Sequence, residues 1–454
     1  MWLLYSLSLL LLLLLFTLTD LSYSIAINTS IDYLKLPLLH RTPFTSPSQA
    51  LSFDIRRLSL LHHHHQRLSF KSPVISGASS GSGQYFVSLR LGSPPQTLLL
   101  VADTGSDLVW VKCSACKNCS NYVPGSAFLA RHSSTFSPIH CFNSLCQFVP
   151  QPRPNPCNHS RLHSPCRYEY LYGDGSKTSG FFSRETTTLN TSTGREKRLK
   201  SLAFGCGFRI SGPSLTGASF KGAHGVMGLG RAPISFSSQL GRRFGNKFSY
   251  CLMDYTLSPA PTSYLMIGGI QNNAVSKKRI LKFTPLQVNP QAPTFYYIGI
   301  KSVSVDGVKL PINSSVWSID ELGNGGTIID SGTTLTFITE PAYREILRAF
   351  KRQIKLPSAA ELTPGFDLCV NVSGVSRPTM PRMSFELDGD SVFSPPSMNY
   401  FVETADRVKC LAIQPVNADG DFSVIGNLMQ QGYLLEFDRD KSRLGFSRRG
   451  CAIP

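Results

Sequence analysis

Apolar residues in this chain recur mostly at every second position or in short continuous runs, broken by Gly, Pro, Asn and Ser. That is the pattern of β-strands joined by tight turns. Tyr85–Leu91 alternates, a Gly-Ser-Pro-Pro turn follows, and Thr97–Ala102 forms the next strand. The aromatic-rich run Arg167–Leu171 leads into Tyr172-Gly173-Asp174-Gly175-Ser176, which predicts a projecting hairpin. Further strands are expected over Leu199–Gly205, towards Gly225–Gly230, and over Phe295–Val305, while Gln271–Pro293 reads as a connection. Helical spacing is scarce. Ile234–Phe244 predicts a short helix. Pro341–Ile354 predicts the clearest one, with Pro at its start, Tyr343, Ile346, Leu347 and Phe350 on one face, and Lys and Arg late.

One pattern occurs twice. Leu98–Val111 (LLLVADTGSDLVWV) is an apolar strand that ends in an acid, a hydroxyl residue, a glycine and a second hydroxyl residue, before another apolar run. Thr327–Ile338 (TIIDSGTTLTFI) repeats it without a gap, so that Asp103 matches Asp330, Thr104 Ser331, Gly105 Gly332, Ser106 Thr333 and Leu108 Leu335. No other Asp is followed by Ser or Thr and then Gly. Each triplet is also followed by an apolar-apolar-Gly signal, Val226-Met227-Gly228 and Val424-Ile425-Gly426. The chain therefore reads as an internal duplication of two β lobes.

Its 454 residues suffice for two or three domains. Residues 1–24 hold a Leu-rich run of signal-peptide length, with small residues near Ser24 and Ala26 for cleavage. No Lys or Arg precedes that run, and a membrane anchor is the competing reading. Residues 25–80 are polar and basic and read as a removable pro-segment, flexible or inhibitory, whose positive charges lie over acidic groups until the pH changes. They include His62 to His65, a tract without neighbouring acid or Cys ligands, and end in the linker Gly77–Gly83. Residues 81–270 and 271–454 are then the two lobes.

Twelve cysteines and six Asn-X-Ser/Thr sequons, at Asn28, Asn118, Asn158, Asn190, Asn313 and Asn371, fit a secreted, oxidised, glycosylated protein. Seven cysteines fall in an insertion over 113–166: Cys113, Cys116, Cys119, Cys141, Cys146, Cys157 and Cys166. The opening CxxCxxC is compatible with a metal site, but in this setting a disulfide-stapled loop is the better reading, and no metal is expected. The first lobe has nine cysteines, with Cys206 and Cys251, and the second has three, Cys369, Cys410 and Cys451. Both counts are odd, so full pairing needs a bridge between lobes. Cys451, on the tail, is the candidate, leaving Cys369 with Cys410. The formal net charge is +17, but Lys and Arg are scattered, with no basic helix. A nucleic-acid role is not expected, and an acidic cell-wall polysaccharide remains a partner that such a surface would take.

If the two triplets meet at the pseudo-twofold axis, Asp103 and Asp330 share one site. Like charges so close hold one proton between them. The ionised acid takes a proton from water while the other donates to a carbonyl oxygen, and amide hydrolysis follows. Gly105 and Gly332 allow a tight turn, Thr104 and Ser331 tie the loops together, and Ser106 and Thr333 donate to the carboxylates.

With DTGSDLVW, YGDGS, GVMGLG, IIDSGTTLT and VIGN in that order, the chain from Tyr85 onward resembles the pepsin-like aspartic proteases, and its cysteine-rich insertion resembles the plant nepenthesin-type branch. The resemblance implies a mostly β, bilobal pepsin-like fold of two duplicated barrel-like lobes with a cleft between them. It implies a secreted plant endopeptidase, in the apoplast or cell wall rather than the vacuole, monomeric, without metal or organic cofactor, acting on protein or peptide at acidic pH. Asp103 and Asp330 would be the catalytic pair. Tyr172 would be the flap tyrosine, Gly173 its neighbour, and Trp110 its support. The same scaffold resembles plant inhibitors of polysaccharide-degrading enzymes, so a catalytically silent binding protein is the alternative.

Overall fold

The alternating strand Tyr85–Leu91 buries one face and lies antiparallel to Gln96–Asp103, with Phe86 opposite Val101 and Leu91 opposite Gln96. In the computed structural model the described residues are 34–40, 51, 54, 83–117, 127–154, 157, 163–172, 175–190, 195–216, 220, 223–254, 263–268, 281–416, 422–448 and 451. The signal-peptide reading, most of the pro-segment, Asn28, Asn118, Asn158, Cys119, Gly173 and the side chain of Cys116 lie outside them.

The duplication is visible in strand order. In the first lobe, Gln96–Asp103 runs parallel to Gly225–Gly228, placing Asp103 opposite Gly228, and the chain returns as Val109–Lys117 on the other side of that same strand. In the second, Thr327–Ile329 runs parallel to Ser423–Ile425, and Thr336–Thr339 returns beside it. Each acid therefore sits at the end of a strand, in a loop that straddles a short strand from later in its lobe. The glycine that ends that short strand has a packing reason. A Cβ on Gly228 would lie 2.3 Å from the Asp107 carbonyl carbon, and one on Gly426 would lie 1.9 Å from the Leu335 oxygen. The two loops pass across bare backbone.

The lobes are joined by an antiparallel sheet. Lys247–Cys251 of the first lobe pairs with Leu434–Asp438 of the second, Phe248 opposite Phe437. The ladder continues outward through Ser263–Ile267 on one side and through Arg443–Ser447 on the other. Its outer positions are filled by Leu34–His40 and Lys282–Gln287. Phe248 and Phe437 stack across the lobe boundary with centroids 4.5 Å apart, and Tyr296 meets Phe437 edge-on at 4.6 Å. The core is therefore continuous from one lobe to the other, since the same buried apolar cluster includes Leu100, Phe248, Phe437 and Phe385.

One expectation is refined and one corrected here. Within the stretch expected to be a pro-segment, Leu34–His40 is a strand paired with both Ser263–Ile267 and Tyr85–Leu91. The connection expected over Gln271–Pro293 contains the strand Lys282–Gln287. The helices follow their signals. Phe236–Phe244 starts after Ser235, whose hydroxyl accepts from the Ser238 N–H at 3.2 Å. Glu340–Gln353 carries Glu340 and Pro in its first turn and Lys351 and Arg352 in its last. It buries Ala342, Tyr343, Ile346, Ala349 and Phe350. Each large apolar side chain so buried contributes about 1.5–3 kcal/mol.

Candidate active site

The two acid triplets meet, and they do so symmetrically. The Thr104 N–H donates to Ser331 Oγ (3.1 Å), and the Ser331 N–H donates to Thr104 Oγ1 (2.9 Å). Each hydroxyl then donates to the carbonyl before the opposite acid, Thr104 to Ile329 (3.3 Å) and Ser331 to Ala102 (2.9 Å). These four bonds are buried and tie residues more than two hundred positions apart. They satisfy polar groups that would otherwise be stranded in the core.

Each carboxylate is held in the same way. Asp103 Oδ1 accepts the Gly105 N–H (3.0 Å), and Oδ2 accepts the Ser106 hydroxyl (2.5 Å). Asp330 Oδ1 accepts the Gly332 N–H (3.0 Å), and Oδ2 accepts the Thr333 hydroxyl (2.6 Å). Asp103 is 1% exposed and Asp330 0%. Two buried acids, each with one amide and one hydroxyl donor, are fixed in direction before any ligand arrives.

The hairpin Arg167–Leu171 with Lys177–Asn190 carries Tyr172 at its turn. The buried Trp110 donates from Nε1 to the Tyr172 hydroxyl at 2.6 Å and stacks on Phe220, centroids 5.9 Å apart and planes 11° apart. The Tyr172 N–H donates to the Ser176 carbonyl (2.8 Å), closing the turn.

Several supporting residues were not legible in advance. Asp107, four positions after Asp103, accepts the Ala232 N–H (2.8 Å) and the Thr294 hydroxyl (2.6 Å) of the second lobe. Burial raises its pKa, partly offset by those two bonds and by Arg439. Gln430 donates to the carbonyls of Asp330 (3.1 Å) and Ile425 (2.8 Å), and Tyr250 donates to Gln430 Oε1 at 2.5 Å. Burial and the nearby Asp330 charge keep that phenol protonated. Asn427, the last residue of VIGN, donates to the Ser331 and Gly83 carbonyls. Asp54, far upstream of both triplets, accepts the Leu335 N–H just beyond the second. Of these, Asp107 and Asn427 lie within the strings DTGSDLVW and VIGN, and the others lie outside any motif.

Among the described residues, four disulfides lie within a lobe and one joins the lobes. Cys113 bonds Cys206, Cys141 bonds Cys157, Cys146 bonds Cys166 and Cys369 bonds Cys410. Cys251 bonds Cys451, a bridge between the lobes. Among the sequons, Asn190 and Asn313 are exposed, Asn371 is half-buried, and each ends a strand or opens a turn.

With this geometry in place, comparison with known proteins is decisive. An Arabidopsis thaliana protein named aspartyl protease family protein 2 is 36% identical over 441 residues, 94% of this chain and 86% of its own. Aspartic proteinase nepenthesin-1 of Nepenthes gracilis is 34% identical over 90% of this chain and 87% of its own. The chain belongs to the pepsin-like aspartic protease family. Two family profiles divide it at the lobe boundary: "Xylanase inhibitor N-terminal" matches residues 85–269, and "Xylanase inhibitor C-terminal" matches 295–448. Among solved structures, edgp superposes with a TM-score of 0.67 at 23% identity, covering 91% of this chain and 94% of its own. Basic 7S globulin from soybean does so at 0.63 and 20%, covering 92% and 96%. At these identities the structural matches speak for the mostly β, bilobal pepsin-like fold.

Proposed function

We propose that this family member is an active endopeptidase, hydrolysing peptide bonds at acidic pH with a water held between Asp103 and Asp330. The observation that carries this reading is the symmetry of the pair: both acids are present, buried, and held by matching amide and hydroxyl donors. A pair sharing one proton can act as base towards water and as acid towards the scissile carbonyl. Thr104 and Ser331 lock the loops, and Ser106 and Thr333 keep the carboxylates in their directions. Tyr172, supported by Trp110, would close over an extended peptide with Gly173 beside it. In this reading residues 1–24 direct secretion to the apoplast or cell wall. Residues 25–80 are removed on maturation, and Asn118, Asn158, Asn190, Asn313 and Asn371 are open to glycosylation.

A second reading has its own support. The matching profiles are described as those of a xylanase inhibitor, and the chain is strongly basic. A silent binding protein, partnered by a polysaccharide-degrading enzyme, would use the same scaffold. The intact dyad favours hydrolysis. The test is digestion of a denatured protein by the acid-treated chain from about pH 3 to 7, beside D103N and D330N and with pepstatin. Acid proteolysis that pepstatin blocks and both variants lack is the expected result. A folded, matured protein that cuts nothing across that range overturns it in favour of the inhibitor reading.

A further inference from the structure

The duplication fails at one position beside the dyad. Asp107 aligns with Thr334, so the first loop carries a buried acid where the second carries a hydroxyl. A buried carboxylate is costly and is kept only where its oxygens are used. Both oxygens of Asp107 are used, and they point to different lobes: Oδ1 takes the Ala232 N–H, and Oδ2 takes the Thr294 hydroxyl. The surrounding bonds converge on the same place. The Gly230 N–H donates to the Ser106 carbonyl (2.9 Å), the Leu229 N–H to the Asp103 carbonyl (2.8 Å), and the Arg231 N–H to the Thr294 carbonyl (3.1 Å). From the second lobe, Arg439 donates to the Arg231 carbonyl (2.9 Å) and to Ser238 (2.7 Å), while the Tyr296 hydroxyl donates to the Leu229 carbonyl (2.8 Å).

We propose that Asp107 is a positioning residue for Asp103, its carboxylate pinning the first catalytic loop both to Ala232 and, across the lobe boundary, to Thr294. The reciprocal Thr104–Ser331 bonds set the two loops against each other at their tips. Asp107 sets the first loop against the second lobe at its base, so that the loop is held at two points rather than one. This rests on the dyad reading for its catalytic consequence, though not for its geometry.

The charge has a separate effect. The ionisable groups facing Asp107 are Asp103 on its own loop, Arg231 beside Ala232, and Arg439 and Tyr296 from the second lobe. Burial raises the Asp107 pKa above the usual carboxylate value, against the lowering effect of its two hydrogen bonds and of Arg439. A charged Asp107 disfavours a second negative charge on the dyad and holds the shared proton to higher pH.

The experiment compares the wild type with Thr294→Val, Asp107→Ala and Asp107→Asn by amide hydrogen exchange and by pH-rate profile. Asp107→Asn can keep both hydrogen bonds, accepting from Ala232 and donating to Thr294, while losing the charge. Thr294→Val and Asp107→Ala are expected to speed exchange at Gly230 and Ala232 about tenfold. The helix Glu340–Gln353 should be unaffected, and kcat should fall about tenfold at nearly unchanged KM. Asp107→Asn, which removes a negative charge beside Asp103, is expected to lower the alkaline limb by about half a pH unit. Exchange and kcat at wild-type values in Thr294→Val, which removes no charge and little volume, would overturn the positioning role. An alkaline limb unmoved in Asp107→Asn would overturn the electrostatic part. Faster exchange in a protein whose wild type cuts nothing would leave the pin standing and remove the protease reading.

Discussion

Each candidate catalytic carboxylate accepts one hydroxyl, Ser106 for Asp103 and Thr333 for Asp330. Their symmetry makes a paired prediction: Ser106→Ala and Thr333→Ala each lower kcat, by about 10- to 100-fold, with the fold kept. Steady-state kinetics on a quenched peptide would check it, and unchanged kcat in both variants would count against the dyad's need for those donors. Trp110→Phe keeps the aromatic stack on Phe220 but removes the donor to Tyr172. It is expected to raise KM about threefold or more through a looser hairpin, as read from the same assay. At this scale the pair was legible because the chain states it twice in one alphabet. The bond from Thr294 to Asp107 was not, because the two lie 187 positions apart and only Asp107 falls in the repeated string, at a position where the second copy has Thr334.

The short strand that each acid-bearing loop crosses ends in or runs straight into a glycine, Gly228 or Gly426, and the second offers a clean test. Gly426→Ala would place a methyl 1.9 Å from the Leu335 oxygen, against backbone that cannot step aside. The expected cost is about 2–4 kcal/mol of stability, read as a shift in denaturant midpoint. A midpoint at the wild-type value would mean that the loop crosses elsewhere. Several strands announced themselves by their apolar or aromatic pattern, Tyr85–Leu91 and Arg167–Leu171 to the residue. Two of those that did not, Leu34–His40 and Lys282–Gln287, each contain a proline, Pro37 and Pro285. Proline reads as a strand breaker because it lacks the N–H. Here both prolines sit in the flanking strands of the interlobe sheet, opposite Tyr264 and Arg443. Tertiary pairing overrides the local signal there, and only the assembled sheet reveals it.

The lobes are also coupled by charge. Asp438 is buried at the end of its strand and pairs with Lys247 of the first lobe (2.8 Å) and Arg443 (3.1 Å). Burial alone would raise its pKa, but Lys247 and Arg443 outweigh it and hold it below the usual value. A depressed carboxylate pKa stabilises the fold above the unfolded value of about 3.9. That contribution is lost as the pH falls through the lower, folded value. Asp438→Asn is therefore expected to cost about 1–3 kcal/mol at neutral pH, with the gap from wild type closing at strongly acidic pH. Thermal unfolding at neutral and strongly acidic pH would check it, and an equal gap at both would overturn the assignment.

The bond between Cys251 and Cys451 makes a closed circuit of everything from the end of the first lobe to the tail. The two halves are thus joined twice, once by peptide and once by sulfur. A nick in the stretch 269–280 would not release either half. Such a protein would run as one species on a gel without reductant and as two with it, and it would keep its assembled site as a two-chain molecule. Replacing Cys451 with Ser would make the peptide link the only covalent tether. The same nick would then allow dissociation, at a rate set by the sheet between the lobes.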